Sequence, residues 1–164
     1  MATDTHHYDA LVGLQTAVLA LTLDGIENAD PLPAERVYLR ELLDNRNVTL
    51  PCVMISKAPM PEMTETETSQ HNKVSYPCLI TVIVPQNKSL ELTEGPTKWR
   101  QQIEEIFDAK QPAEVIAALG DTVKLQHTLW QPLDVIDLSA FYDKNLLVSA
   151  AIVLVVVWKS RGRR

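Results

Sequence analysis

The residues of this sequence that are suited to phosphate binding or nucleophilic catalysis are scattered along the chain. Phosphate-binding loops need closely spaced glycines, because backbone N–H groups must approach the ligand. The five glycines, at positions 13, 25, 95, 120 and 162, are far apart. The sequence also contains no G-x-S-x-G nucleophile elbow. We therefore predict neither a Gly-rich nucleotide site nor a serine nucleophile.

Potential metal ligands are equally dispersed. His6 and His7 are adjacent near the N-terminus, and His71 lies in a polar segment. Three aspartates between positions 134 and 143 match no calcium-loop spacing. We interpret His127 as a hydrogen-bonded core histidine, because it falls on the apolar face of a predicted strand. The sequence thus predicts no metal, cofactor or catalytic site.

The two cysteines are predicted to be buried free thiols. Cys52 and Cys78 each follow a proline and begin an apolar run. Such surroundings argue against a stabilised thiolate, and two cysteines do not make a disulfide framework. A bridge between them is the alternative, which a reducing cytoplasm disfavours.

Length and composition predict one globular domain over residues 1–164. The chain is 46% hydrophobic and 22% charged, which is ordinary for a folded domain. Its net charge of −6 argues against the whole chain being a counter-ion for nucleic acid. The basic tail, residues 159–164, is interpreted as solvated, with contact to an acidic partner as the alternative. The first seven residues lack the basic and apolar regions of a secretory signal.

An uncharged apolar run, residues 146–158, is predicted to be a long strand. Four of its last six residues are valine, and β-branched side chains suit the pleated surface of a sheet. A membrane span is the competing interpretation, but it needs about 20 apolar residues. Both faces are apolar from Ile152 to Val157, so we expect cover on both sides, by helices or by another subunit.

Two main helices are predicted from apolar residues that recur at three- and four-residue steps. The first covers residues 8–23 and is followed by Gly25 as a C-cap. The second starts at the Glu-Gly-Pro sequence that begins at position 94, and its apolar stripe ends at Phe107. A short third helix over residues 112–119 stops at Gly120.

Further strands are predicted at residues 48–56, 74–84 and 123–129, the last one ended by Trp130-Gln131-Pro132. Residues 34–43 fit either a helix or a strand. A long polar loop is predicted at residues 57–73, and an irregular crossing segment at 133–145. These elements indicate an α+β fold, with a mostly antiparallel sheet of four to five strands and two main helices packed on one face.

This arrangement resembles the phage tail terminators, the tail-completion proteins that cap the tail tube and join it to the head. The resemblance covers nearly the whole chain. Residues 112–120 and 133–145 have no clear counterpart in the family. The matching sequences are LDGI at 23–26, LPCVMI at 50–55, YPCLITV at 76–82, WRQQIEEIF at 99–107, and the closing run 149–158 with Arg161 soon after.

The resemblance implies a non-enzymatic virion protein that is assembled in the host cytoplasm. It implies a ring of six subunits, stacked on the tail tube protein and facing the head–tail connector proteins, with no cofactor and no membrane contact. DNA would pass through the lumen without specific binding, which the acidic balance permits. The family pattern also favours a strand at residues 36–40. The residues expected to contact other subunits or the tube are Met60, Glu62, Met63, Glu65, Glu67, His71, Trp158, Lys159 and Arg161.

Two alternatives remain open from the sequence. One is another head–tail connector or tail adaptor protein of similar build. The other is a small ligand-binding or enzymatic α+β domain, which would need a concave pocket with convergent polar groups. The mass of the assembled species distinguishes a closed ring from a monomer that binds a small molecule.

Overall fold

The computed structural model describes residues 5–21, 36–40, 47–66, 70–85, 94–133 and 146–160. These ranges contain three helices and six strands. In chain order they are α1 (His6–Leu19), β1 (Val37–Leu39), β2 (Cys52–Lys57), β3 (Met63–Thr66), β4 (His71–Pro85), α2 (Glu94–Phe107), α3 (Ala113–Leu119), β5 (Val123–Leu133) and β6 (Leu146–Ser160).

The described strands form one sheet in the order β1-β2-β4-β6-β5, and β3 also pairs with β4. Among the pairs of described strands, β1–β2 is the only parallel one, and the other four are antiparallel. The predicted α+β class with a mostly antiparallel sheet is therefore confirmed. The strand alternative for residues 36–40 is also confirmed, since Val37–Leu39 pair with Val53–Ile55.

The strands β4 and β6 form the centre of the sheet, and they pair along all 15 residues of each. Side chains of a strand alternate between its two faces. On one face, Val153, Val155 and Val157 join a single core cluster with Leu14 of α1 and Trp99 of α2. Residues of α3 belong to the same cluster, so all three described helices pack on this face, which we call the helix face.

The described helices leave the opposite face of the sheet uncovered, and we call it the open face for that reason. Its side chains along β6 are nevertheless largely buried. Leu154 is 5% exposed and Val156 is 3% exposed, whereas Ile152 is half-buried. A second, smaller apolar cluster on the same face contains Cys52 and Met54. The apolar side chains on both faces of β6 are thus removed from water, as the valine-rich run predicts.

The predicted loop at residues 57–73 is wrong over much of its length. It contains β3 and the first residues of β4, which form an antiparallel hairpin with Met63 opposite Ser75 and Thr66 opposite Asn72. The threonines around Glu65 are β-branched and suit a strand, so the polar composition of this segment does not by itself indicate a loop. The prolines, Pro59 and Pro61, are confined to the connection between β2 and β3.

The strand β5 departs from the predicted pattern in two ways. It continues through Trp130-Gln131-Pro132 to Leu133. A β-bulge at Gln126 changes the pairing from Leu125↔Val157 to His127↔Val156. The extra residue shifts the alternation by one, so Thr128 and Trp130 become buried and His127 is only half-buried. The interpretation of His127 as a core histidine is therefore wrong.

The observed end of α3 agrees with the predicted end, whereas that of α1 does not. The helix α3 stops at Gly120 as predicted, and Gly120 has a φ of 69°. The helix α1 ends at Leu19 rather than near residue 23, and Leu21 N–H donates to Val18 O in a tighter final turn. Gly25 lies outside the described residues, as do the aspartates at 134–143.

No described helix is long and apolar enough to cross a membrane.

Candidate assembly surface

The features best suited to contact with another molecule lie where β3 joins the sheet. Four strands run side by side there in the order β3, β4, β6 and β5. We call this region the sheet end, comprising Met63–Thr66, His71–Ser75, Val156–Ser160 and Val123–His127. Among the described strands, β3 pairs only with β4 and β5 pairs only with β6, so these two strands are the borders of the sheet end.

One row of side chains crosses all four strands on the open face. Glu65 is opposite Lys73, Lys73 is opposite Trp158, and Trp158 is opposite Lys124. Directly opposed residues of paired strands point to the same face, so the four side chains are neighbours. The row begins with an acid on β3 and ends with a base on β5.

The acid and the central lysine of this row form an ion pair. The Lys73 Nζ atom lies 3.5 Å from Glu65 Oε2, and the Glu65 side chain is 65% exposed. Such an exposed pair contributes about 0–1 kcal/mol to stability. Its effect is to hold the Glu65 carboxylate on the open face of the sheet while leaving most of it in solvent.

An aromatic contact lies beside the row. The rings of His71 and Trp158 meet edge to face, with centroids 6.4 Å apart and an interplanar angle of 78°. Trp158 is half-buried, while His71 is exposed. Met63, in the neighbouring row, is 43% exposed, so this face offers apolar contact area between its charged groups.

An open cavity of about 600 Å³ follows the border of the sheet end at β5. Its wall includes the consecutive residues 121–126, together with His71 and Trp158. His71, Trp158 and Ser160 lie on the open face of β4 and β6, so the cavity extends over that face as well as along β5. The border is occupied from Gln126 onward, because Gln111 Nε2 donates to Gln126 O and Thr128 N–H donates to Lys110 O.

The connection between β2 and β3 contacts α1 through a buried histidine. His7 Nδ1 lies 2.8 Å from Glu62 Oε1, and His7 Nε2 lies 3.0 Å from Pro77 O. Lys57 Nζ lies 4.0 Å from the same Glu62 oxygen. The His7 ring also packs 5.4 Å from the Tyr76 ring. These contacts position the start of β3 relative to the helix layer.

The structure brings four of the predicted contact residues together on one face. Met63, Glu65, His71 and Trp158 lie on the open face of the sheet end. Lys159 is opposite Val123 and belongs to the helix face. The remaining predicted residues are Met60 and Glu62 in the β2–β3 connection, and Glu67 and Arg161 outside the described residues.

Three residues of this region are absent from the sequence prediction: Lys73, Lys124 and His7. Lys73 falls within the predicted loop, and Lys124 is a solvated position on an alternating strand. Their alignment with Glu65 depends on strand register, which local periodicity does not specify. His7 meets Glu62 across 55 positions of sequence, and no local signal marks that pair.

No group of three or more His, Cys, Asp or Glu side chains among the described residues is placed to hold a metal ion. Both cysteines are free and buried. This confirms the predicted state of the thiols.

No family model matches the chain, and comparison with curated proteins likewise finds no match.

Proposed function

We propose that this protein is an architectural virion protein of the tail-terminator type. It forms a ring of six subunits that caps the tail tube and joins the tail to the head-side connector. The observation that carries the proposal is the sheet end, where an acid-bearing border strand and a base-bearing border strand lie on opposite sides of the same four-stranded region. Contacts between two different surfaces of identical subunits close into a ring when the rotation between neighbours permits it.

The dimensions of the central strands support an assembly role. Each of β4 and β6 has 15 residues and spans about 50 Å, whereas each 14-residue helix is about 21 Å long. A sheet border presents backbone N–H and C=O groups that can pair with another chain, and β3 and β5 are the borders of the sheet end.

The charge balance is compatible with passage of DNA through such a ring. The net charge of −6 disfavours tight binding of a polyanion to the whole chain. The six subunits would then let DNA slide through the lumen without specific contacts.

The mass of the purified protein in solution tests the ring. Six chains of 18.4 kDa give a species of about 110 kDa, which analytical ultracentrifugation or native mass spectrometry resolves from a monomer. Negative-stain images of that species should show closed rings. A strict monomer at every concentration, or a monomer that binds a small molecule, would overturn the proposal.

Tail assembly without this protein tests the terminator role in particular. Tails made in its absence should be longer than normal, since nothing would stop growth of the tube. Tails of normal length that fail to join heads would instead identify another head–tail connector.

A further inference from the structure

We propose that neighbouring subunits join edge to edge, with β3 of one copy adding to the first half of β5 of the next. In this contact Glu65 of one copy faces Lys124 of its neighbour. The inference rests on the proposed ring and names the surface that holds it together.

The strand directions permit this pairing. The strand β3 is antiparallel to β4, β4 is antiparallel to β6, and β6 is antiparallel to β5. The strands β3 and β5 of one subunit therefore run in opposite directions. When an identical subunit is placed alongside by rotation about an axis parallel to these strands, its β3 meets β5 in the antiparallel sense, which continues the sheet across the contact.

The charges at the two borders are complementary. Glu65 and Lys124 end the same row of side chains on the open face, and both are exposed. Repeating the row from copy to copy places the acid of one subunit opposite the base of the next, a favourable cross-strand pair. A carboxylate has two oxygens, so Glu65 can accept from Lys73 of its own chain and from Lys124 of the neighbour.

The space along β5 matches the length of β3. The cavity of about 600 Å³ borders residues 121–126, and the β5 border is closed from Gln126 onward by Gln111 and Lys110. The incoming strand must therefore be short, and β3 has four residues. Asp121 at the start of the cavity is the acidic group there, so the register that places Glu65 opposite Lys124 also keeps it away from Asp121.

Charge reversal tests the contact. Glu65→Lys and Lys124→Glu each place like charges at every contact, and each should weaken association by about tenfold or more. Both positions are exposed, so the monomer fold should be retained, as circular dichroism can verify. Sedimentation velocity over a concentration series measures the association.

Mixing provides the decisive measurement. In an equimolar mixture of the two single variants, each contact between different variants pairs opposite charges. A ring of six subunits can alternate the two variants, so that every contact pairs opposite charges. The mixture should therefore form rings at protein concentrations where neither variant forms them alone. The double variant, Glu65→Lys with Lys124→Glu, should also assemble. Glu105→Lys, an exposed reversal on α2, is the matched control and should assemble like the parent protein.

The outcomes separate this inference from the proposed function. A parent protein that stays monomeric overturns the ring itself. A parent protein that forms rings, together with single variants that form them equally well, overturns the edge contact and leaves the ring standing. Single variants that fail to assemble, and that neither mixing nor the double substitution restores, also overturn the proposed pairing.

Discussion

Cys78 lies on the central strand β4 with no exposed surface, and its thiol contacts Tyr76 O at 3.7 Å. Burial disfavours the charged thiolate and raises the pKa of Cys78 well above its ordinary value. Burial also raises the pKa of Cys52 to about 11, although Arg36 and Arg40 act in the opposite direction. At neutral pH both side chains are therefore protonated and act as small apolar groups in the packing.

The raised pKa of Cys52 predicts a loss of stability in alkali. The unfolded chain releases this proton near pH 9, whereas the folded protein retains it to about pH 11. The folded state therefore binds more protons between these values, and the free energy of unfolding falls as the pH rises through them. For Cys52 the loss should approach about 2–3 kcal/mol.

Denaturant unfolding at pH 8 to 11 measures this loss. The Cys52→Ala variant should show a shallower decline between pH 9 and 11 than the parent protein, whatever its stability at pH 8. Equal slopes for the two proteins would contradict the assignment to Cys52.

At the scale of elements, the contact between α1 and α3 depends on the absence of a side chain. A Cβ atom at Gly13 would lie 2.7 Å from Val115 Cα and 3.1 Å from Ala118 Cβ. The first of these neighbours is backbone, which cannot move without displacing α3. Glycine in a helix interior normally weakens the helix relative to alanine, so here close packing of two helices has outweighed helix propensity.

The Gly13→Ala variant should therefore be less stable than the parent protein, by about 1–3 kcal/mol, although propensity alone predicts a gain of about 1 kcal/mol. Chemical denaturation with circular dichroism detection gives the sign directly. Thr16→Ala, at an exposed position of the same helix, is the control and should change the free energy of unfolding by less than about 0.5 kcal/mol. A stabilised Gly13→Ala protein would show that α3 can move away.

At the scale of the whole molecule, the sheet end has two different border strands, β3 and β5. In the described part of the chain, the helices pack on one face of the sheet only. Border strands that receive a partner lose their exposure to water. Assembly through them adds the free energy of association to the stability of each subunit, so the proposed ring and the fold should be thermodynamically linked.

This linkage predicts that the thermal midpoint depends on protein concentration. Raising the concentration tenfold should raise the midpoint of the parent protein by about 2–4 °C, because only the folded state assembles. Differential scanning calorimetry at several concentrations measures the shift. The Glu65→Lys variant should show little dependence. A midpoint that is constant over a hundredfold range in the parent protein would contradict the linkage.

The sequence alone determined the elements whose patterns are local. The valine-rich run is a strand because β-branched residues suit a pleated sheet, and α3 ends at Gly120 because a positive φ favours glycine. The burial of the two cysteines follows from their apolar neighbours along the chain.

Only the tertiary structure decided the register and the close contacts. The hairpin at Glu65, the bulge at Gln126 and the approach of His7 to Glu62 join residues through pairing that no local pattern encodes. A slip of one residue in any of these strands would break the row from Glu65 to Lys124, because side chains alternate with a period of two. Local sequence determines which segments become strands, and packing between distant segments determines which of their side chains meet.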